Sequence, residues 1–200
     1  MKKIPLILIY SRLALGLLML ALSFLKVNQY TTIAIVLLTT GLLTDIFDGI
    51  IARRLNVSTQ KLRRLDSSID QAFFISVSIS TYIQCPDFFN SNALKSIVLL
   101  ASEGLIYLVC FIKFKKEIAT HSIGAKIWTL ILFATLVQII IQCQSTVLFE
   151  MCFWVGILTR FEIIAIIIVL KQWTNDVPSI YHAFKLRQGK EIKRNKLFNG

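Results

Sequence analysis

Residues 45–53 and 62–70 carry the most informative pattern of the chain, which reads Asp45-Ile-Phe-Asp48-Gly49-Ile-Ile-Ala52-Arg53 and then Leu62-Arg-Arg-Leu-Asp66-Ser-Ser-Ile-Asp70. Apolar residues precede the first stretch and follow the second, so the pattern predicts two antiparallel helices joined by a basic linker. Asp45 and Asp48 then share one helical face, and Asp66 and Asp70 share another. Because one helix ends where the next begins, the four carboxylates are expected to gather at one depth.

The surrounding sequence is strongly apolar. Of its 200 residues, 56% are hydrophobic and 16% are charged, whereas soluble domains carry about a quarter charged residues. This composition excludes a disordered or collagen-like chain and argues against a water-soluble globule. Since a helix needs roughly 20 apolar residues to cross a bilayer, we predict six transmembrane segments at about 4–25, 31–52, 67–86, 92–112, 127–142 and 146–170. The predicted fold class is therefore an all-α, polytopic membrane helical bundle.

The N-terminal segment has a second interpretation. Arg12 interrupts the first apolar run, so the beginning of this run is predicted to lie along the membrane interface as a juxtamembrane segment. Lys2 and Lys3 also resemble the start of a secretory signal peptide. The interruption by Arg12 favours a retained helix over a cleaved one.

The basic residues predict an orientation. The chain has 22 Lys and Arg against 11 Asp and Glu, which gives a formal net charge of +11. In a soluble protein this excess would indicate nucleic acid binding. Here all the basic residues except Lys26, Lys95 and Arg160 lie on one side of the six predicted spans, which is the positive-inside pattern. We therefore expect no nucleic acid partner, both termini in the cytoplasm, and a multi-pass protein of the cell (inner or plasma) membrane.

The C-terminal tail and the four cysteines are less informative than the acidic pattern. Residues 1–174 are predicted to form one membrane domain, and residues 175–200 a basic cytoplasmic tail that lies on the membrane surface or is loosely ordered. The four cysteines are interpreted as small buried residues. A bridge between Cys85 and Cys143, which both fall near the outer face, is the alternative. Glu103 is expected to pair with Arg160 across two helices, and a role in an acceptor site is the second interpretation.

Four carboxylates within a membrane protein need neutralisation. Each costs on the order of 2.5–3.5 kcal/mol to place within hydrocarbon, and together they repel. Mg²⁺ prefers hard oxygen ligands shared with a substrate phosphate, and two metal ions can stabilise a departing phosphate group. Two other interpretations are weaker: Asp66 as a helix N-cap explains one carboxylate of the four, and an ion-coupled transporter usually places carboxylates near the midplane.

These residues resemble the class I CDP-alcohol phosphatidyltransferase family. Its signature is D-x-x-D-G-x-x-A-R, then eight residues, then G-x-x-x-D-x-x-x-D. The sequence matches it at Asp45, Asp48, Gly49, Ala52, Arg53, Asp66 and Asp70, and departs from it at Leu62, where the family has glycine. The resemblance implies an enzyme that displaces CMP from CDP-diacylglycerol with the hydroxyl of a small polar alcohol.

The resemblance also implies roles for single residues. The four aspartates would hold two divalent ions, Mg²⁺ or Mn²⁺, and Asp70 would act as the catalytic base. The CDP site would include Gly49, Ala52, Arg53 and Leu62. Leu62 either narrows this pocket or faces lipid. The substitution at Leu62 also keeps an alternative open, namely a catalytically impaired relative or a non-enzymatic membrane protein that retains the fold.

The acceptor is less well indicated. The start of the fifth predicted span loosely resembles the G-K-x-K-T stretch of phosphatidylglycerophosphate synthases, with Lys126 as its matching lysine. Basic residues suited to an acceptor phosphate are Arg12, Arg63, Arg64 and Lys126. Each is equally interpreted as a positive-inside anchor. Glycerol 3-phosphate is the first choice of acceptor, with serine, inositol phosphate and a second phospholipid open, and a homodimer through apolar faces is possible.

Overall fold

The computed structural model describes residues 4–55, 57–116, 118 and 122–192. Within these ranges the chain is all helical and contains no strand, which confirms the all-α prediction. The helices are α1 (Ile4–Phe24), α2 (Tyr30–Arg54), α3 (Gln60–Gln84), α4 (Pro86–Ser91), α5 (Ala93–Phe114), α6 (Ile123–Gln142), α7 (Val147–Val169) and α8 (Ile180–Arg187).

Five of the described helices are long and apolar enough to cross a membrane: α1, α2, α5, α6 and α7. Helix α3 has 25 residues, as many as α2, but its N-terminal third is charged and serines recur along it. The protein is therefore a multi-helix membrane protein. The sixth span, predicted at residues 67–86 on α3, stays a prediction because this helix is too polar to be identified as a span by its apolar content.

The described residues fall into two compact units. The first consists of the described residues in the ranges 1–91 and 133–145, and the second of those in the ranges 92–132 and 146–200. Helices α1, α2 and α3 pack together in the first unit. Helices α5, α7 and α8 belong to the second unit, and α6 contributes to both.

Phe73 of α3 fixes the close packing of the first three helices. Its side chain is 1% exposed. A Cβ atom added to Gly16 of α1 would lie 3.3 Å from the backbone of Phe73, and one added to Gly41 of α2 would overlap its ring. The two glycines therefore let α1 and α2 approach the aromatic ring closely. Phe73 lies two turns beyond Asp66 on α3, so this packing positions the part of α3 that carries Asp66.

A disulfide lies at the C-terminal end of α3, within the first unit. Cys85 caps α3 and is bonded to Cys143, which follows α6. At the same end, the Gln84 Nε2–H donates a hydrogen bond of 3.1 Å to the carbonyl of Ser23. The structure thus supports the alternative interpretation of this cysteine pair. Cys110 and Cys152 are buried, as expected for small residues of a helical bundle.

The second unit has a core between α5 and α7 that extends to the chain after α7. Leu170, Val177 and Ala183 join Ile166 of α7 in one buried cluster. The Arg187 Nη1–H also donates to the carbonyl of Val169 at 3.2 Å. The first half of the predicted tail is therefore packed against α7, while residues 193–200 lie outside the described residues. The domain boundary between 174 and 175 stays a prediction.

A buried ion pair links α5 and α7 in this unit. Arg160 Nη2 lies 2.9 Å from Glu103 Oε2, which confirms the predicted pair. The Arg160 Nη1–H donates to the carbonyl of Gly156 at 3.1 Å. Its guanidinium also lies 3.9 Å from the centroid of the Trp128 ring. The ring is itself held by a 2.9 Å hydrogen bond from Trp128 Nε1–H to the carbonyl of Cys152.

Candidate active site

The four aspartates lie at one end of the first unit. Asp48 precedes the last residue of α2 by six residues, and Asp66 follows the first residue of α3 by six. At 1.5 Å per residue, both lie about 9 Å inside their helix ends. One carboxylate oxygen from each of Asp45, Asp48 and Asp66 lies within 4.8 Å of the others. The carboxylates that the sequence pattern predicts to lie at one depth are therefore close together in the structure.

Arg12 of α1 lies among these carboxylates and contacts all four. Its Nη1 is 3.1 Å from Asp45 Oδ1 and 3.3 Å from Asp66 Oδ1, and it also pairs with Asp70. Its Nη2 pairs with Asp48 Oδ2. The arginine side chain is only 1% exposed. The sequence predicts that Arg12 binds an acceptor phosphate, and the structure places it at the centre of the acidic cluster.

The four carboxylates differ in their access to solvent. Asp48 and Asp66 are buried, whereas the side chains of Asp45 and Asp70 are 33% and 23% exposed. The cluster therefore has a buried side and an open side. Asp70 lies on the open side.

A small cavity of about 10 Å³, room for about one water molecule, adjoins the cluster. It is lined by Pro5, Ile9, Asp48, Gly49, Ala52, Leu62, Arg63 and Asp66. Three predicted CDP-site residues, Gly49, Ala52 and Leu62, are among them, so Leu62 faces the cavity. Pro5 and Ile9 were not identified from the sequence, because an apolar residue on an apolar helix gives no signal that it lines a site.

The beginning of α3 is organised by Thr59, which caps the helix. The Leu62 N–H donates a 3.2 Å hydrogen bond to Thr59 Oγ1, as an N-cap requires. The interpretation of Asp66 as the cap is therefore wrong, since the helix begins almost two turns earlier. Arg63 is buried, and its Nε–H donates to Ser58 Oγ at 3.0 Å. This bond holds Arg63 in the cavity wall beside the carboxylates.

The remaining predicted residues lie elsewhere. Arg53 folds back over Gly49, because a Cβ atom added to that glycine would lie 3.3 Å from Arg53 Nη1. Among the described residues, Arg64 does not line the cavity, although it is adjacent to Arg63 in the sequence. Lys126 lies in the first turn of α6, within the second unit. Its role, like that of Arg64, stays a prediction.

The acidic cluster has the chemistry of a divalent cation site. Its donors are carboxylate oxygens, the ligands that Mg²⁺ and Mn²⁺ prefer. The buried guanidinium of Arg12 shows that positive charge is accommodated among them. The residues present therefore fit a divalent metal.

The fold and the site together define a helical membrane protein with a polycarboxylate cation site beside a cavity. A family model for CDP-alcohol phosphatidyltransferases matches residues 2–175, and the protein belongs to this family. It is accordingly a transferase of substituted phosphate groups in phospholipid synthesis. The family uses a CDP-alcohol donor, an alcohol acceptor and generally a divalent metal. Searches of curated proteins and of solved structures gave no match.

Proposed function

We propose that this enzyme transfers a phosphatidyl group from CDP-diacylglycerol to the hydroxyl of a small polar alcohol, with release of CMP. The family supports the class of reaction, and the convergence of four carboxylates on one cationic group carries the assignment of the site. Glycerol 3-phosphate is the first candidate acceptor, because the stretch that contains Lys126 resembles that of phosphatidylglycerophosphate synthases.

Asp45, Asp48, Asp66 and Asp70 would together hold two divalent ions, Mg²⁺ or Mn²⁺. When bound, such ions polarise a diphosphate and stabilise the departing CMP. Asp70 would take the proton of the acceptor hydroxyl. The hydroxyl oxygen would form a bond to the phosphorus of the phosphatidyl group while the bond from that phosphorus to CMP breaks. The exposure of Asp70 on the open side of the cluster supports this role.

The small cavity beside the cluster would form one part of the CDP site. Gly49 and Ala52 line it from α2, and Leu62 lines it from α3. Arg53 and Arg63 add positive charge near the phosphates. The acyl chains would remain in the bilayer while the diphosphate reaches the carboxylates.

The active site would face the cytoplasm. Cys85 lies 15 residues beyond Asp70 along α3, a distance of about 22 Å in a helix, so the disulfide and the carboxylates lie near opposite faces of a bilayer. Disulfides persist in oxidising compartments, which supports an external position for Cys85–Cys143. The basic side of the chain is then internal, as the positive-inside rule requires.

A CMP-release assay tests the reaction. The purified protein is supplied with CDP-diacylglycerol and, in turn, glycerol 3-phosphate, serine, inositol phosphate and phosphatidylglycerol, with Mg²⁺, with Mn²⁺ or with a chelator. We expect CMP release that requires metal and one acceptor, with glycerol 3-phosphate the most active. A folded protein that releases no CMP with any acceptor would contradict the proposal and indicate a catalytically impaired member.

Cysteine labelling tests the orientation. Val57→Cys and Lys190→Cys should resist a membrane-impermeant maleimide added to intact cells, whereas Lys26→Cys, in the exposed turn after α1, should react. External labelling of residue 57 or 190 would reverse the proposed topology. A homodimer, which we also propose from the apolar helix faces, would appear as a doubled protein mass in light scattering from detergent.

A further inference from the structure

We infer that Arg12 is a built-in counter-cation of the acidic cluster, which binds the carboxylate oxygens that a divalent metal needs and must withdraw when metal binds. This inference rests on the proposed metal site. Arg12 would thus set the affinity of the enzyme for its metal and stabilise the cluster before the metal arrives.

Arg12 and a divalent metal would use the same carboxylates. Arg12 contacts Asp45 Oδ1, Asp48 Oδ2 and Asp66 Oδ1 through its two terminal nitrogens. The oxygens of the same three residues lie within 4.8 Å of one another. A divalent ion held by these carboxylates would need the oxygens that the guanidinium engages. Arginine and metal therefore compete for the same oxygens.

Charge, rather than a full set of hydrogen bonds, holds the guanidinium of Arg12 in place. Within the described part of the chain, its Nε–H is buried without a hydrogen-bond partner. The guanidinium is therefore fixed by its terminal nitrogens and by charge, with one donor left unsatisfied at a cost to stability. Among the described residues, the Nε–H of Arg160 is likewise buried without a hydrogen-bond partner, but Arg160 pairs with one carboxylate only. An arginine held mainly by charge is released when a stronger cation neutralises the same carboxylates.

A way out also exists for the displaced side chain. Asp45 and Asp70, which Arg12 contacts, are 33% and 23% exposed, so the cluster is open to solvent on their side. Arginine has several rotatable bonds, and its guanidinium can turn toward this open side without movement of α1.

Direct metal titration tests the competition. Mn²⁺ binding to purified protein is measured by the EPR signal of free Mn²⁺ for wild type, Arg12→Gln and Arg12→Lys, with Lys61→Gln, an exposed basic residue of α3, as the matched charge control. We expect Arg12→Gln to lower the dissociation constant by about tenfold, within the 5–150-fold range typical of coupling between two ligands. Arg12→Lys should lie between, and Lys61→Gln should match wild type.

Thermal denaturation provides the second readout. In chelator, Arg12→Gln should unfold at a lower temperature than wild type, and added Mn²⁺ should raise its unfolding temperature by more than it raises that of wild type. If Arg12→Gln is not recovered in chelator, expression and purification in Mn²⁺ should restore it. Equal or weaker Mn²⁺ binding, an unchanged unfolding temperature in chelator, or failure of Mn²⁺ to restore the variant would overturn the inference.

The result is distinguishable from failure of the proposed reaction. Metal-dependent CMP release by wild type, with unchanged Mn²⁺ affinity in Arg12→Gln, would overturn only the role of Arg12. Tighter Mn²⁺ binding in Arg12→Gln, without CMP release by wild type, would overturn only the reaction.

Discussion

Arg12 in the first unit and Arg160 in the second are both buried within apolar helices, but their surroundings differ. Arg160 has one carboxylate, Glu103, at 2.9 Å, together with the carbonyl of Gly156 and the face of Trp128. Arg12 has four carboxylates around one guanidinium. A buried charge in a membrane is costly unless it is paired. The charges around Arg160 are balanced, whereas the four carboxylates around Arg12 leave an excess of negative charge.

The difference separates a structural pair from a binding site. One cation and one anion, with further contacts to a ring and a carbonyl, form a closed set that requires no ligand. Four carboxylates around one cation attract more positive charge, and two of them are partly open to solvent. The two arginines are alike in sequence context, each an isolated basic residue in an apolar run. Their partners alone distinguish their roles.

The largest effect is expected from Asp70→Asn. Asparagine keeps the shape of the side chain but is not a base at neutral pH, and loss of general base catalysis costs about 10²–10⁴-fold in rate. CMP release should fall by this factor while the unfolding temperature changes little. Asp87→Asn, an exposed aspartate of α4, is the matched control and should be fully active. Near-normal turnover of Asp70→Asn would contradict the assigned role.

A large effect on stability, rather than on turnover, is expected from Glu103→Leu. Removal of one partner leaves the Arg160 charge buried and unpaired, which costs about 3–5 kcal/mol of stability. The double variant Glu103→Leu with Arg160→Met should recover most of this loss, because both charges are then absent. Thermal unfolding measures stability, and CMP release per folded molecule should stay unchanged. A specific loss of activity at normal stability would instead place the pair in an acceptor site.

A smaller effect is expected from Leu62→Ala. The side chain lines the cavity proposed for CDP, and an overfilled site costs about 1–3 kcal/mol. Because 1.4 kcal/mol is tenfold in affinity, the KM for CDP-diacylglycerol should fall by roughly tenfold. Leu65→Ala, one turn along α3 and away from the described cavity lining, is the control. An unchanged KM in an active Leu62→Ala enzyme would show that Leu62 does not restrict the nucleotide.

The smallest effect is expected from Trp128→Phe. This change removes the hydrogen bond from Trp128 Nε1–H to the carbonyl of Cys152 but keeps an aromatic face for Arg160. Loss of one such bond costs about 1 kcal/mol, which thermal unfolding should detect as a small decrease in unfolding temperature. A loss as large as that of Glu103→Leu would mean that the ring, rather than the carboxylate, holds Arg160.

The sequence by itself determined the features that depend on local spacing. Apolar runs predicted the helices, and offsets of three and four residues placed the carboxylates in pairs on α2 and α3. A short linker between antiparallel helices then brought the pairs to one depth. The sixth span stays a prediction, because α3 combines a membrane-spanning length with the polarity of a helix that carries a site.

Only the tertiary structure decided which distant residues meet at the site. Arg12 lies 36 and 54 residues from Asp48 and Asp66, and no spacing rule connects them. Their meeting depends on the close packing of α1, α2 and α3 around Phe73, which Gly16 and Gly41 permit. Contacts of this kind depend on how apolar faces fit in three dimensions, whereas a single sequence shows only that the faces are apolar. A lone arginine in an apolar run therefore predicts a buried partner without identifying it.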